Sequence, residues 1–214
     1  MGVDVRVDPA TRIVGSIQLR LGDPTPGPAR ATYSSGKPVH QLEAWLDLMV
    51  LQATDPDTAW RSLVVARKSG TTKVRTVVYD LVSPHVAAQR RDAARHALRT
   101  VVGCFRRGLR EPLPLFPKLS YKLHTGKAVA GDWHGFTVPA DGDDEYVRFA
   151  LGDLAFRELL ALPRLDRDPP GAGGRAQVYA DHLWDEVDGT AVGRDAPDDT
   201  PAKASRSTTP RGRR

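Results

Sequence analysis

The spacing of apolar residues changes repeatedly up to Thr100, and no other feature restricts the fold as much. Val3–Val7 and Arg12–Leu21 alternate apolar and polar residues, the period of strands with one buried face. The turn GDPTPGP (22–28) follows, its prolines lacking the N–H a strand ladder needs. Ala29–Ser34 reads as a third short strand. Lys37-Pro38 then opens a helix to Ala53, with Leu42, Trp45, Leu46, Met49, Val50 and Ala53 at helical spacing. TDPDT (54–58) ends it. Trp60–Arg67 and Lys73–Asp80 are β-branched strands joined by KSGTT (68–72), a hairpin signal. Ser83-Pro84 starts a second long helix, Ser as cap and Pro where no N–H is needed, running to Gly108. The order is β-β-β-α-β-β-α. It predicts an α/β fold, a mixed sheet flanked by both long helices.

Beyond the second helix the pattern turns helical and then polar. Ala87, Ala94, Leu98, Val101, Val102, Phe105 and Leu109 should form that helix's apolar face, with its arginines largely elsewhere. EPLPLFP (111–117) cannot be helical; its prolines favour an extended path. A short helix is expected at Lys118–Lys127, a loop at Gly131–Gly142, apolar periodicity at Tyr146–Leu162 and a last amphipathic helix at Ala176–Val187. From Gly189 onward there is almost nothing to bury, so the expected organisation is one domain, 1–188, and a disordered basic tail, 189–214.

Charge is unevenly spread. The formal net charge is +5, yet residues 88–127 hold ten Lys/Arg against two acids, and residues 128–170 hold four against nine. A basic stripe of that density suits a phosphate backbone as well as a solvated helix face. No apolar run reaches the roughly 20 residues a membrane helix needs. The N-terminus carries acids and no apolar signal core, and the single Cys104 cannot pair within the chain. These features point to a cytoplasmic protein with Cys104 as a buried, inert thiol.

Several site signals fail on inspection. SSGK (34–37) is followed by Pro38, with Ala31 where a phosphate loop needs glycine; TGK (125–127) is followed by Ala128, with Tyr121 in the glycine position. The histidines form no pair at metal-ligand spacing. His124, Asp132 and His134 are a loose cluster in an expected loop. Asp141, Asp143, Asp144 and Glu145 read as an acidic surface turn, lacking the spaced ligands of a calcium loop. Leu48, Leu51, Trp133 and Phe136 are expected to be exposed unless a partner covers them.

The basic helix running into RRGLREPLPLFP (106–117) resembles the C-terminal part of the RecC family, the gamma subunit of exodeoxyribonuclease V. Similar stretches are Ile13-Val14-Gly15, AWLDLMVL (44–51), WRSLVV (60–65), Val147–Leu160 with Gly152-Asp153-Leu154, and Leu183-Trp184. The likeness spans roughly residues 10–188 as an ordered set. The resemblance implies a PD-(D/E)XK (restriction-endonuclease-like) core whose site has decayed. Active relatives of that fold carry Gly-x-x-Asp, Asp-x-Lys and Gln-x-x-x-Tyr. Here Gln18 stands for the first Asp, Thr32 and Ser34 stand for Asp-x-Lys, and Gln41 to Trp45 stands for the helix motif. An amide and two hydroxyls bind a hard dication far more weakly than clustered carboxylates do.

The implied role is non-catalytic: DNA binding and assembly within a RecBCD-type helicase–nuclease that processes double-strand breaks. Partners would be RecB-like and RecD-like subunits and duplex or forked DNA, with ATP and Mg²⁺ bound by those subunits and no cofactor in this chain. The expected phosphate contacts are Arg106, Arg107, Arg110, Lys118 and Lys122. The family's Chi-sensing helicase-like region has no counterpart in these residues. Two rivals stay open: an active Mg²⁺-dependent nuclease with acids drawn from Asp4, Asp23 or Asp47, and a scaffold that docks a motor subunit without touching DNA.

Overall fold

The computed structural model describes residues 1–20, 25–67, 76–136, 139–190 and 192–194. It is an α/β molecule with two sheets, where the sequence pattern suggests one. β1 (Gly2–Asp8) and β2 (Thr11–Ser16) form an antiparallel ribbon by themselves. Val3, Val5 and Val7 point from it into the core, as their alternation requires. The second sheet has the order β3-β4-β5-β6, from Ala29–Ser35, Arg61–Arg67, Thr76–Val82 and Val192–Arg194. β3 lies parallel to β4 and the other pairs are antiparallel, so the sheet is mixed. The expected hairpin turn at 68–72 lies outside the described residues.

Gly27 admits the chain to this sheet. A Cβ there would stand 1.7 Å from the Arg61 carbonyl oxygen, so only glycine lets the two backbones run this close. Arg61 and Leu63 N–H groups then donate to the Pro26 and Pro28 carbonyls, at 3.0 Å each.

α1 (Pro38–Thr54) is the central element. It packs against β1, β4, β5, α2 (Ala87–Gly108) and α3 (Pro117–His124). Being apolar almost all round, it buries Ala44, Trp45, Leu48, Met49 and Leu51 completely. Leu48 and Leu51 are therefore core residues, correcting the expectation of exposure. The buried Leu and Met side chains each contribute roughly 1.5–3 kcal/mol by leaving water. The Trp45 indole N–H finds Thr190 Oγ1 at 2.8 Å.

α2 starts three residues later than Ser83-Pro84 suggests. Ser83 Oγ accepts the His85 N–H at 3.2 Å in a local turn, and Arg90 donates to the His85, Pro56 and Thr58 carbonyls. Only its middle, Ala94, Ala97, Leu98 and Thr100, is buried. Phe105 and Leu109, expected on the buried face, are 65% and 71% exposed and line an apolar groove instead.

A second core joins α3, α5 (Phe156–Leu160) and α6 (Arg175–Thr190) through Leu119, Trp133, Leu159, Ala176 and Ala180. Trp133 is buried and its indole N–H donates to the Leu154 carbonyl at 2.7 Å, again contrary to expectation, whereas Phe136 is 98% exposed as expected. Gly152, at φ 86°, ends α4 (Glu145–Leu151) and splits the apolar stretch 146–162 into two short helices. α6 continues past Gly189, and residues 192–194 add an edge strand beside β5; residues 195–214 lie outside the described residues. Among the described residues, no helix is long and apolar enough to cross a membrane.

Candidate nucleic-acid interface

The last turn of α2 carries Arg106 and Arg107, cations placed at the negative end of the helix dipole. The chain then bends through Arg110 and Glu111, whose N–H groups both donate to the Arg107 carbonyl. Arg164–Arg167 come alongside, and the two segments line an open cavity of about 810 Å³. Its lining holds five arginines, Arg106, Arg107, Arg110, Arg164 and Arg167, against Glu111 and Asp166.

Beneath the cavity is a neutralised ion network. The Asp168 carboxylate is fully buried and accepts from the Leu165 N–H at 2.7 Å, the Tyr179 hydroxyl at 3.1 Å and Arg175 Nε at 3.2 Å, with Arg107 Nη2 at 2.8 Å. Burial alone would raise its pKa, but the Leu165 N–H and Arg175 outweigh burial and hold it below the usual carboxylate range. The Tyr179 phenol is pushed up to about 12, chiefly by burial, so it stays protonated and donates. Arg107 also binds Glu111 and the Arg167 carbonyl, which ties the helix end to the loop. Both Arg107 and Arg175 lie over the Tyr179 ring, 5.6 and 5.8 Å from its centre.

The rim differs. Arg106 pairs with Asp8 at 3.2 Å and binds Thr11 on the ribbon. Arg164 donates to the Pro169 and Gly171 carbonyls. Among the described residues, the side chains of Arg110 and Arg167 have no hydrogen-bond or ion-pair partner. Of the five residues expected to touch phosphate, Arg106, Arg107 and Arg110 thus converge. Lys118 and Lys122 lie apart on α3: Lys122 is paired with Asp132, and Lys118 is exposed near Asp132 and Asp141. Sequence reasoning missed Arg164 and Arg167. They sit in the stretch of 128–170 where nine acids outnumber four Lys/Arg, so a charge sum along the chain does not single them out.

The positions that the resemblance matched to nuclease motifs are split. Thr32 and Ser34 share one face of β3, their hydroxyls 3.1 Å apart, with Ser34 Oγ 2.7 Å from His40 Nε2. Arg30, on the same face, pairs with Asp47 and lies 3.6 Å from Glu43. Gln18 is exposed and lies beyond the end of β2, outside that sheet. Of the rival's acids, Asp4 is paired with Arg12 on the ribbon, Asp47 is paired as above, and Asp23 lies outside the described residues. The loose cluster disperses: His124 faces Asp181 and Asp188, Asp132 binds Lys122, and His134 binds Asp143. Asp143 also accepts from the Ala140 and Gly135 N–H groups, which with His134 hold its carboxyl at about 2. Among the described residues, no group of three or more His, Cys, Asp or Glu is arranged to hold a metal.

Next to the arginines, on another face of α2, lies an apolar groove of about 530 Å³. Leu42, Leu46, Val101, Phe105, Leu109 and Leu113 line it, with Cys104 half-buried at its base. Burial pushes the Cys104 thiol pKa up, which keeps it a poor nucleophile.

Comparison with known proteins gives one consistent answer. The family model described as the RecC C-terminal domain matches residues 2–128. A protein named RecBCD enzyme subunit RecC, from Mycolicibacterium smegmatis, is 28% identical over 191 residues, covering 85% of this chain and 16% of its own length. The protein of the same name from Mycobacterium tuberculosis is 28% identical over 193 residues with the same coverage. The chain thus spans about 16% of the length of these relatives.

Proposed function

The chain belongs to the RecC C-terminal domain family, and from that premise we propose that it is a non-catalytic DNA-engaging and assembly domain of a RecBCD-type enzyme. The observation that carries the DNA part is the cavity at the end of α2, where arginines outnumber acids five to two. Phosphate contacts come from Arg110, Arg164 and Arg167, with Arg106 and Arg107 partly committed to the protein's own acids. Lys118 and Lys122 add positive field from α3.

The assembly part is supported by the apolar groove beside the arginines, with Phe105 and Leu109 exposed at its edge. RecB-like and RecD-like subunits are the partners this family membership suggests, in the cytoplasm. ATP hydrolysis and Mg²⁺-dependent cleavage belong to those subunits. The donors at the decayed nuclease positions, Gln18, Thr32 and Ser34, are neutral and do not suit Mg²⁺. No step of hydrolysis is assigned to them.

The test is a titration of duplex and forked DNA at several salt concentrations with the wild type and Arg110→Ala/Arg164→Ala/Arg167→Ala. The salt slope of log affinity should fall by about 0.9 for each phosphate that the variant no longer neutralises. An unchanged affinity and slope would leave a protein-docking scaffold as the better account. Mg²⁺-dependent cleavage of linear duplex by the purified chain would overturn the non-catalytic assignment.

A further inference from the structure

A duplex meets protein over extended surfaces of roughly 1,000–2,500 Å². The arginine-lined cavity is a different kind of feature. It is a concave cleft open to solvent, and its volume of about 810 Å³ is within the roughly 300–1,000 Å³ typical of small-ligand sites. Its lining has no aromatic side chain on which a base could stack. What it offers is guanidinium groups from two chain segments, the exit of α2 and Arg164–Arg167.

We infer that this cavity is a receptor for a phosphate monoester, the group at a nucleic-acid end or on a free nucleotide. The first of those sources rests on the DNA-engaging reading above; the second does not. Arg107 and Glu111 are locked together, and the network on Asp168 and Arg175 holds them in place. That leaves Arg110 and Arg167 as guanidinium forks with unused donors among the described residues. A fork matches two phosphate oxygens at once. A monoester presents three terminal oxygens and close to two charges at neutral pH, against two oxygens and one charge on a backbone diester. With one oxygen shared, a monoester gives two forks different oxygen pairs, whereas a diester must offer the same pair to both and carries half the charge. Arg164 and Arg167 lie outside residues 2–128, so the family match does not define the complete cavity.

The experiment uses the full chain. A labelled duplex is titrated with either 5′-phosphate or 5′-hydroxyl ends, and inorganic phosphate and a nucleoside 5′-monophosphate are titrated separately by calorimetry. End phosphorylation should tighten binding about tenfold. Arg110→Ala/Arg167→Ala should remove that preference with the thermal midpoint unchanged. Arg110→Lys/Arg167→Lys keeps the charge but loses the forks, so duplex affinity should survive while the preference for phosphorylated ends disappears. Duplex binding that ignores the end group, with no response to either small phosphate, overturns the inference and leaves the DNA-engaging reading standing. Absent duplex binding with nucleotide binding that the double variant abolishes does the reverse, and identifies a free nucleotide as the source. If no probe binds, both fall.

Discussion

At the edge of the main sheet, Arg30 lies between Glu43 and Asp47, and Ser34 and His40 bond each other. At the end of α2, the buried Asp168, together with Glu111, neutralises Arg107 and Arg175, yet Arg110 and Arg167 remain without partners among the described residues. Both regions are rich in charge and polar groups. The first consumes its polarity internally, in pairs. The second builds a neutral foundation and places unspent cations above it. The buried carboxylate fixes Arg107 and Arg175, and through Arg107 the helix end and the Arg167 backbone, beneath the two unpaired arginines. Bracing is useful where a ligand must find donors already in position.

The largest effect follows from that foundation. Asp168 has no exposed side-chain surface and serves two guanidiniums and a phenol. Asp168→Ala leaves Glu111 as the one acid shared by both cations, a loss of about 3 kcal/mol, the lower end for a broken buried pair, read as a lower denaturant midpoint. The matching cut at the other region, Asp47→Ala, should cost less than about 1 kcal/mol, because its partner Arg30 is half exposed and solvent screens the pair. Equal losses would erase the distinction between a braced site and a surface pair.

This contrast shows where the sequence was readable. The alternation in β1 and the helical spacing around Trp45 revealed both elements, because burial on one face or all faces leaves a periodic trace. Arg106, Arg107 and Arg110 were legible because they are neighbours on the chain. Arg164 and Arg167 were not: their meaning comes from a fold-back that brings a loop to the end of α2, and a local charge sum cannot see it. The sheet split was hidden for a similar reason. The β2 pattern continues to Leu21, but ladder pairing stops at Ser16, since pairing depends on where the partner strand ends. Trp133 was misjudged because its burial is supplied by α3, α5 and α6, all distant or short.

A smaller effect concerns the apolar groove. Phe105→Ser and Leu109→Ser remove surface that already faces water, so each should shift stability by no more than about 0.5 kcal/mol. If the groove is an assembly surface, the double variant should fold normally and fail to co-purify with co-expressed RecB-like and RecD-like subunits. Unchanged assembly would remove the groove from the interface, leaving the arginine cavity as the functional part of α2.

A further small effect separates fixed charge from titrating charge on α6 itself. Its first turns supply Arg175 and Tyr179 to the ion network on Asp168, and later turns present Asp181, Asp185 and Asp188 to His124 of α3. Burial disfavours the His124 imidazolium, but hydrogen bonds to Asp188 and Asp181 outweigh burial, so its pKa is raised. Both ring nitrogens face carboxylates, and only the protonated ring can donate from both. The stabilisation is therefore complete below the unfolded histidine value of about 6.5 and is lost as pH rises through the higher folded value. His182, on the same helix, works in the opposite sense: burial lowers its pKa, so its share is present at higher pH and lost as pH falls. Comparing wild type with His124→Gln isolates the first contribution. The stability gap, under about 1 kcal/mol for such partly exposed partners, should be present near about pH 5.5 and shrink by about pH 8. A gap that stays constant, or widens with pH, would mean that His124 sits neutral between its aspartates, and the α3–α6 contact would then belong with the fixed packing of the second core.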